Sequence, residues 1–150
     1  MTESAIRFRA RYAETDQMGI VHHAVYLSWM EMGRVELCRE LGVRYRDMEA
    51  QDGILLTVAE AKVRYMAPAR FDDLVEVLTT TARSTPRLLE FSYRISNAET
   101  QQVLAEGSTT HIYCGRNLRP CKLPERYHEN FEVRQRSHAD NLEGEPLGRK

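Results

Sequence analysis

Hydrophobic and polar residues alternate along residues 6–13, where three arginines separate the apolar side chains. This period of two predicts a half-buried strand. Along residues 23–41 the hydrophobic positions instead recur every three or four residues, which predicts a helix with a broad apolar face. Gly42 follows that pattern directly, as expected at the C-terminus of a helix.

Four segments after Gly53 predict strands, because they are rich in β-branched and aromatic side chains and are separated by short turns. They are residues 54–65, 74–84, 88–96 and 103–113. A strand, a long helix and four more strands indicate an α+β domain, with one antiparallel sheet around a central helix. A short second helix is expected at residues 45–50. Residues 134–150 are polar and aperiodic, so we expect a domain over residues 1–133 and a disordered C-terminal tail.

The overall composition narrows the class of protein. The 150-residue chain has a net charge of -1, with 42% hydrophobic and 29% charged residues. This balance is typical of a soluble globular protein and gives no basic field that would recruit nucleic acid. The three cysteines are widely spaced, which favours a reducing compartment over a disulfide framework. No signal peptide is visible and no apolar run approaches the about 20 residues of a membrane span. We therefore expect a cytoplasmic protein.

The loop between the first strand and the long helix concentrates residues that can do chemistry. Asp16 can serve as general base or nucleophile in an acyl transfer, although most loop aspartates only organise a turn. His22 and His23 are adjacent and would point about 100° apart on a helix. The i,i+4 spacing of metal-binding helices is absent, so we expect no metal site. The plain alternative for either histidine is a partly buried ring bonded to the backbone.

The start of the long helix lacks an ordinary cap. Ser, Thr, Asp or Asn usually accepts a hydrogen bond from one of the about four free N–H groups there. This helix begins instead with Val21, His22, His23 and Ala24. Free N–H groups at the positive end of a helix can form an oxyanion hole for a carbonyl oxygen, and Gly19 would let the backbone approach a ligand. An acid facing a polarised carbonyl is the minimum needed to hydrolyse an ester or thioester.

Other catalytic templates are missing from the sequence. It contains no G-x-S-x-G nucleophile elbow, no G-x-x-x-x-G-K-[ST] phosphate loop and no G-x-G-x-x-G after a strand. Cys38 lies in the apolar stripe of the helix, a position more typical of the core than of a nucleophile.

Two longer motifs fall at a distinctive distance from each other. The first is Tyr12-x-x-Thr15-Asp16-x-x-Gly19-x-Val21-x-His23-x-x-Tyr26, followed by Glu31 and Gly33-Arg34. The second is Val63-Arg64-Tyr65-Met66-Ala67-Pro68-Ala69-Arg70-Phe71-Asp72-Asp73. Together they resemble the hotdog-fold acyl-CoA thioesterases, closest to the 4-hydroxybenzoyl-CoA thioesterase-like branch with its bacterial members associated with the Tol-Pal envelope system. The resemblance extends over residues 6–125.

This resemblance implies a fold, an assembly and a site. The fold is the hotdog, a five-stranded antiparallel sheet wrapped around a long central helix. The assembly is a homodimer or homotetramer with active sites at the dimer interface. The catalytic acid falls on Asp16, and the oxyanion donor on the backbone N–H of His23, whose side chain can also contact substrate or water. Arg87 and Arg119 fall where relatives carry basic residues that contact the phosphates of coenzyme A. The remaining residues expected at the substrate are Met18, Gly19 and Val25, of which Met18 and Val25 depart from the usual residues of relatives.

The sequence thus predicts an acyl-CoA thioesterase that releases the free acid and coenzyme A, with no cofactor beyond the coenzyme A of the substrate. Asp16 acts either on a water or directly on the thioester carbon, and the sequence leaves both routes open. The alternative is a non-catalytic acyl-CoA or acyl-carrier binding protein, since a fold does not fix a function. A hydratase on the same fold would need a differently spaced Asp/His pair. The acyl group is not defined by the sequence.

Overall fold

The strands and helices predicted from the sequence are present in the computed structural model, which describes residues 2–133. The strands are β1 (Glu3–Arg9), β2 (Leu55–Tyr65), β3 (Leu74–Ser84), β4 (Leu88–Asn97) and β5 (Val103–Cys114). The helices are α1 (Val25–Glu40) and α2 (Tyr45–Asp52), with 3-10 turns at Tyr12–Glu14 and Glu125–Tyr127. The predicted C-terminal tail, residues 134–150, lies outside the described residues.

All five strands form one antiparallel sheet in the order β1-β3-β4-β5-β2. The long helix α1 packs against the sheet, chiefly on β1 and β3. Its side chains Trp29, Met30 and Leu37 are buried, and they meet inward-facing residues of the sheet such as Val77 and Phe91. Burial of each such side chain contributes about 1.5–3 kcal/mol. The predicted α+β class and the hotdog arrangement are confirmed.

Helix α1 crosses β3 so closely that one helical position has no room for a side chain. A Cβ atom at Gly33 would lie 2.3 Å from Thr79 Oγ1 and 3.0 Å from Val77 Cγ1. The absence of a side chain at Gly33 therefore lets the helix settle onto the strand.

The two boundaries that flank the candidate site differ from the sequence-based expectation. Strand β1 ends at Arg9 rather than at residue 13, because the chain then leaves the sheet: the Ala10 N–H donates to the Asp73 carbonyl at 2.9 Å and a 3-10 turn follows. Helix α1 begins at Val25, two residues later than predicted. The residues between these two boundaries form the loop and turn that carry the candidate site.

Strand β2 is an edge of the sheet and exposes hydrophobic side chains. Val58 is 52% exposed, Tyr65 is 48% exposed, and Met66, just beyond the strand, is 53% exposed. Within residues 2–133 no strand pairs with its outer side. Monomeric proteins usually protect such an edge with charges, prolines or a covering segment. This edge carries the exposed charges of Glu60, Lys62 and Arg64 beside its exposed hydrophobic side chains, and its outer backbone groups are open to a further strand.

Residues 2–133 contain no helix of the length and hydrophobicity that a membrane crossing requires. The same stretch holds no group of three or more His, Cys, Asp or Glu side chains placed around a common point for a metal ion. Its three cysteines are all free thiols.

Candidate active site

The loop that precedes α1 is closed on itself by backbone hydrogen bonds. Thr15 and Val21 pair as an isolated antiparallel bridge. Between them, the Asp16 N–H donates to the Ile20 carbonyl at 2.8 Å and the Gly19 N–H donates to the Asp16 carbonyl at 2.9 Å. Gly19 has a φ of 77°, where glycine is favoured. No atom lies within 4 Å of the position of a Cβ there, so it is the turn, rather than crowding, that requires glycine.

One oxygen of the Asp16 carboxylate is held by the loop and the other is not. Oδ1 accepts a hydrogen bond from the Met18 N–H at 2.8 Å, the self-contained turn that aspartate commonly makes. The residue is half-buried. Within residues 2–133, Oδ2 has no hydrogen-bond partner, and neither oxygen is bonded to the N–H groups at the start of α1. The carboxylate is therefore oriented but still has an oxygen available for chemistry.

Most N–H groups at the start of α1 are occupied. The His22 N–H donates to the Glu14 carbonyl at 2.9 Å, and the Val25 N–H donates to the His22 carbonyl at 3.0 Å. The Ala24 N–H donates to Nδ1 of His22 at 3.1 Å. Of these four consecutive residues, only His23 has a backbone N–H without a partner in the described part of the chain.

The expected absence of a side-chain cap is thus confirmed, and of the expected free donors the His23 N–H remains free while those of His22, Ala24 and Val25 have other partners. Ala24 is the N-cap residue and offers no side-chain oxygen. The imidazole of His22 accepts from the N–H of Ala24 itself, whereas a capping oxygen accepts from the second or third helical N–H. His22, for which the sequence interpretation had only a structural default, thus bonds the backbone just before α1.

A buried carboxylate ties the loop to the helix. Glu14 is 9% exposed. Its Oε2 accepts from the indole N–H of Trp29 at 2.9 Å, and its Oε1 accepts from the Arg11 N–H at 2.8 Å. Hydrogen bonds to a charged acceptor are among the stronger ones in proteins. The sequence interpretation missed Glu14, because a glutamate in a polar loop is ordinarily solvated and only the contact with Trp29 distinguishes this one.

Residues of the second motif are hydrogen-bonded to residues of the first. The Ala69 carbonyl accepts from the Val21 N–H at 2.8 Å, while the Ala69 N–H donates to the Tyr26 hydroxyl at 3.3 Å. The Tyr65 hydroxyl donates to the His23 carbonyl at 2.6 Å. The spacing of the two motifs therefore has a structural cause, since residues of the second hold the backbone on both sides of the helix start.

Aromatic rings line this junction. The rings of His22 and His23 are stacked with centroids 4.2 Å apart, and Tyr65 meets Tyr26 edge-on at 5.1 Å. Desolvation by burial raises the pKa of both tyrosines. Each hydroxyl therefore keeps its proton at neutral pH, as the hydrogen bond from Tyr65 to the His23 carbonyl requires.

A family model, described as the thioesterase superfamily, matches residues 18–104. The chain belongs to the thioesterase superfamily. It is 37% identical over 112 residues to YneP of Bacillus subtilis, by its name a candidate acyl-CoA thioesterase; the match covers 75% of this chain and 80% of that protein. It is 35% identical over 91 residues to the acyl-CoA thioester hydrolase YbgC of Escherichia coli, covering 61% of this chain and 67% of that protein.

Solved structures agree with this membership. The DHNA-CoA thioesterase from Staphylococcus aureus superposes with a TM-score of 0.84 at 31% identity, and the match covers 98% of each chain. A mutant 4-hydroxybenzoyl-CoA thioesterase in complex with 4-hydroxybenzoyl-CoA has a TM-score of 0.77 at 16% identity and shares the fold; the match covers 86% of this chain and 98% of that chain. The resemblance drawn from the two motifs is confirmed: this thioesterase-superfamily chain is an enzyme of the thioester hydrolase class with the hotdog fold.

Two predicted phosphate-binding arginines of this thioesterase-superfamily chain lie close to each other. The Arg87 carbonyl accepts from the Tyr113 N–H at 3.3 Å, and the Arg119 carbonyl accepts from the Gly115 N–H at 3.0 Å. Both arginines are exposed. They therefore place two positive charges at the end of β5, beside the hairpin that joins β3 and β4.

These arginines lie far from the helix start of the same chain. Tyr65, which contacts His23, pairs with Ala105 on β5. Ala105 is eight residues from Tyr113, and a strand rises about 3.3 Å per residue, so the separation is roughly 25 Å. One thioesterase chain alone therefore does not bring Arg87 and Arg119 to Asp16.

Two cavities border α1, and neither is lined by Asp16 or His23. The first, of about 450 Å³, lies between β1 and α1. The second, of about 270 Å³, is lined by Glu31, Arg34, Val35, Cys38, Tyr45 and Leu56. Of the expected acyl-pocket residues, Met18 is 75% exposed and Val25 packs on the core, and neither borders these cavities.

Proposed function

We propose that this protein hydrolyses acyl-CoA thioesters, with Asp16 as general base or nucleophile and the His23 N–H as oxyanion donor. One observation carries the proposal: at the start of α1 the His23 N–H is left free while its neighbours are occupied, and a half-buried carboxylate lies in the adjoining loop. The activities named for YbgC and for the Staphylococcus aureus thioesterase support the choice of a coenzyme A thioester.

Two side chains position the donor. The peptide unit that follows the His23 N–H has its carbonyl bonded by the Tyr65 hydroxyl and its N–H bonded to His22 Nδ1. Because both its carbonyl and its N–H are bonded, this peptide unit cannot rotate and displace the adjacent His23 N–H. Preorganised donors need no rearrangement as negative charge develops, which is the main source of oxyanion-hole stabilisation. Tyr65 and His22 act as positioning residues.

The chemistry follows from the two groups. The thioester oxygen accepts a hydrogen bond from the His23 N–H at the positive end of α1. In one route Asp16 takes a proton from water, whose oxygen bonds to the acyl carbon. The carbon–sulfur bond then breaks, and the proton passes from Asp16 to the sulfur, so that coenzyme A leaves as the thiol. In the other, Asp16 attacks the carbon, and the carbon–sulfur bond breaks to release coenzyme A as the thiolate and leave a mixed anhydride. Water then opens this anhydride to the free acid and Asp16, and its proton neutralises the thiolate. Both routes consume one water and need no further cofactor.

A dimer through β2 supports this function. A two-fold axis relates identical surfaces, so two β2 edges joined by such an axis run antiparallel. The Leu55 end of one strand would then lie beside the Tyr65 end of the other. Because Leu55 pairs with Cys114 at the end of β5, the partner's arginines would approach the helix start that they cannot reach in their own chain. We propose that Arg87 and Arg119 bind coenzyme A phosphates across this interface. The tetramer stays a prediction.

The test is a thiol-release assay with a panel of aliphatic and aromatic acyl-CoAs, run on the wild type and Asp16→Asn. The variant should lose about 100-fold or more of kcat, the low end of a general-base contribution. Asp47→Asn makes the same change at the start of α2 and should retain full activity. Saturable acyl-CoA binding without thiol release would favour the non-catalytic alternative. Near-normal turnover by a folded Asp16→Asn variant would refute the role of Asp16.

A further inference from the structure

The cavity between α1, α2 and β2 is large enough for a small ligand. Its volume of about 270 Å³ lies just below the usual range of ligand pockets, about 300–1,000 Å³. Leu56 contributes the wall from β2, one residue from the end of the strand opposite Tyr65. On α1 the lining residue nearest to the helix start is Glu31, about 12 Å from His23 at 1.5 Å per residue, so the cavity does not border the helix start of its own chain.

Arg34 is a buried cation in the wall of this cavity. Its side chain is only 14% exposed, and its nearest carboxylate within residues 2–133 is Glu31, at 3.8 Å. Glu31 is 68% exposed, so water competes strongly for that acid and the pair is weak. Burying a guanidinium without a close counter-ion is costly. Such an arrangement persists in a functional pocket where a ligand supplies the missing acceptor.

The remaining groups around Arg34 are neutral. Burial raises the pKa of the Cys38 thiol and of the Tyr45 hydroxyl to about 12 each. Behind them, burial lowers the pKa of His111 to about 4, with a further contribution from Arg34 itself. None of these groups is an anion at neutral pH. The protein partners of Arg34 are the exposed Glu31 and the hydroxyl of Tyr93. Neither is a buried anion, so a bound molecule can supply one.

An antiparallel pairing of two β2 edges would place this cavity beside the partner's helix start, for the same reason that it moves Arg87 and Arg119 there. We propose that the cavity holds the distal end of the acyl group of a thioester bound at the partner's His23, and that Arg34 selects acyl groups whose distal end carries a carboxylate or phenolic oxygen. This inference rests on the proposed function and its dimer. Guanidinium groups bind such oxygens with charge-assisted, geometrically specific hydrogen bonds.

Matched substrate pairs test the inference. Glutaryl-CoA and pentanoyl-CoA differ only in the distal carboxylate, and 4-hydroxybenzoyl-CoA and benzoyl-CoA only in the distal hydroxyl. The wild type should favour the oxygen-bearing member of at least one pair by about tenfold or more in kcat/KM, as expected for a hydrogen bond to a charged group. Which pair shows the preference identifies the oxygen as carboxylate or phenol. Arg34→Met should abolish the preference while still hydrolysing the plain member.

Arg39→Met is the matched control, because Arg39 lies on the same helix, is 57% exposed and pairs with Glu36. It should keep the wild-type preference. Glu31→Gln, which removes a competing acid from the cavity, should strengthen a preference for glutaryl-CoA. Arg34→Met should also melt at or above the wild-type temperature, whereas loss of a structural ion pair would lower it.

The outcomes separate this inference from the proposed function. If the wild type hydrolyses both members of each pair equally well, or if Arg34→Met keeps the preference, the inference is wrong and the thioesterase proposal stands. If no thioester in the panel is hydrolysed, the proposed function itself fails. Should Arg34→Met not fold, the wild-type preference and its increase in Glu31→Gln decide the question.

Discussion

Polar side chains near the two ends of strand β2 differ in how completely they are hydrogen-bonded. At one end, the Tyr65 hydroxyl is matched to the His23 carbonyl at 2.6 Å. At the other, Nδ1 of His111 and the hydroxyl of Tyr113 are buried without a hydrogen-bond partner among residues 2–133. Arg34 lies on that side as well, with one long ion pair to an exposed acid. At the Tyr65 end the groups that support the helix start are paired and only the His23 N–H and Asp16 Oδ2 are left free, whereas the other end buries side-chain polar atoms that have no partner within residues 2–133.

This difference is expected if one end of β2 serves the bond-breaking step and the other end binds ligand or a second subunit. An oxyanion donor works best when its surroundings are fixed before the reaction, so unmatched groups beside it would be harmful. A region that binds ligand or a second subunit can keep unmatched polar groups, because the bound partner completes them. The cost is a less stable free chain, which functional sites commonly carry.

The largest expected effect concerns pH at the underpaired end. Burial, assisted by Arg34, lowers the pKa of His111 from 6.5 to about 4. Between these pH values the folded state binds fewer protons than the unfolded state. The contribution of His111 to the free energy of unfolding is therefore fully present above pH 6.5 and is lost as the pH falls through 4. The difference corresponds to about 3 kcal/mol. Urea unfolding across this range should show the loss in the wild type.

His111→Gln provides the comparison for this pH effect, because glutamine does not titrate. Its unfolding free energy should fall less steeply between the same pH values, whatever its absolute stability. Equal slopes in His111→Gln and the wild type would show that His111 does not carry the pH dependence.

Much of the fold is readable from the sequence because its elements bury regular stripes. Strand β4 alternates strictly, with Leu89, Phe91, Tyr93 and Ile95 facing inward, so its period of two was unambiguous. The exit of β1 at Arg9 was not readable, because apolar Ala10 and exposed Tyr12 prolong the alternation after the chain has left the sheet. Local periodicity reports the side chains, whereas the boundary depends on a backbone bond to the distant Asp73.

The candidate site was only partly readable. Asp16 and the free N–H of His23 follow from a local motif at a helix start. The contacts that hold the helix start do not follow from a local motif. Tyr65 contacts His23 across 42 positions, and Glu14 is bonded to Trp29 across 15 positions. No local pattern encodes such contacts, and a tyrosine on an edge strand or a glutamate in a loop is usually solvated.

The next effect in size tests the paired end. Tyr65→Phe keeps the ring but removes the hydrogen bond to the His23 carbonyl, so the peptide beside the oxyanion donor loses one of its two restraints. We expect kcat to fall about tenfold, which corresponds to about 1.4 kcal/mol. KM and the melting temperature should change little, because Tyr65 is half exposed. A rise in KM with unchanged kcat would instead indicate a role in substrate binding.

The smallest effect, and the sharpest contrast, concerns two buried tyrosines. The Tyr93 hydroxyl is bonded to Thr109 Oγ1 at 2.6 Å, whereas the Tyr113 hydroxyl has no partner within the described chain and its pKa is raised by burial. Removing a bonded hydroxyl costs about 1 kcal/mol, while removing an unbonded buried one is neutral or stabilising. Tyr93→Phe should therefore lower the unfolding free energy and Tyr113→Phe should leave it unchanged or higher, with normal thiol release. Equal losses in both variants would mean that the Tyr113 hydroxyl has an acceptor outside the described chain or in a second subunit. Assembly, rather than a ligand, would then supply the missing hydrogen-bond partners at that end of β2.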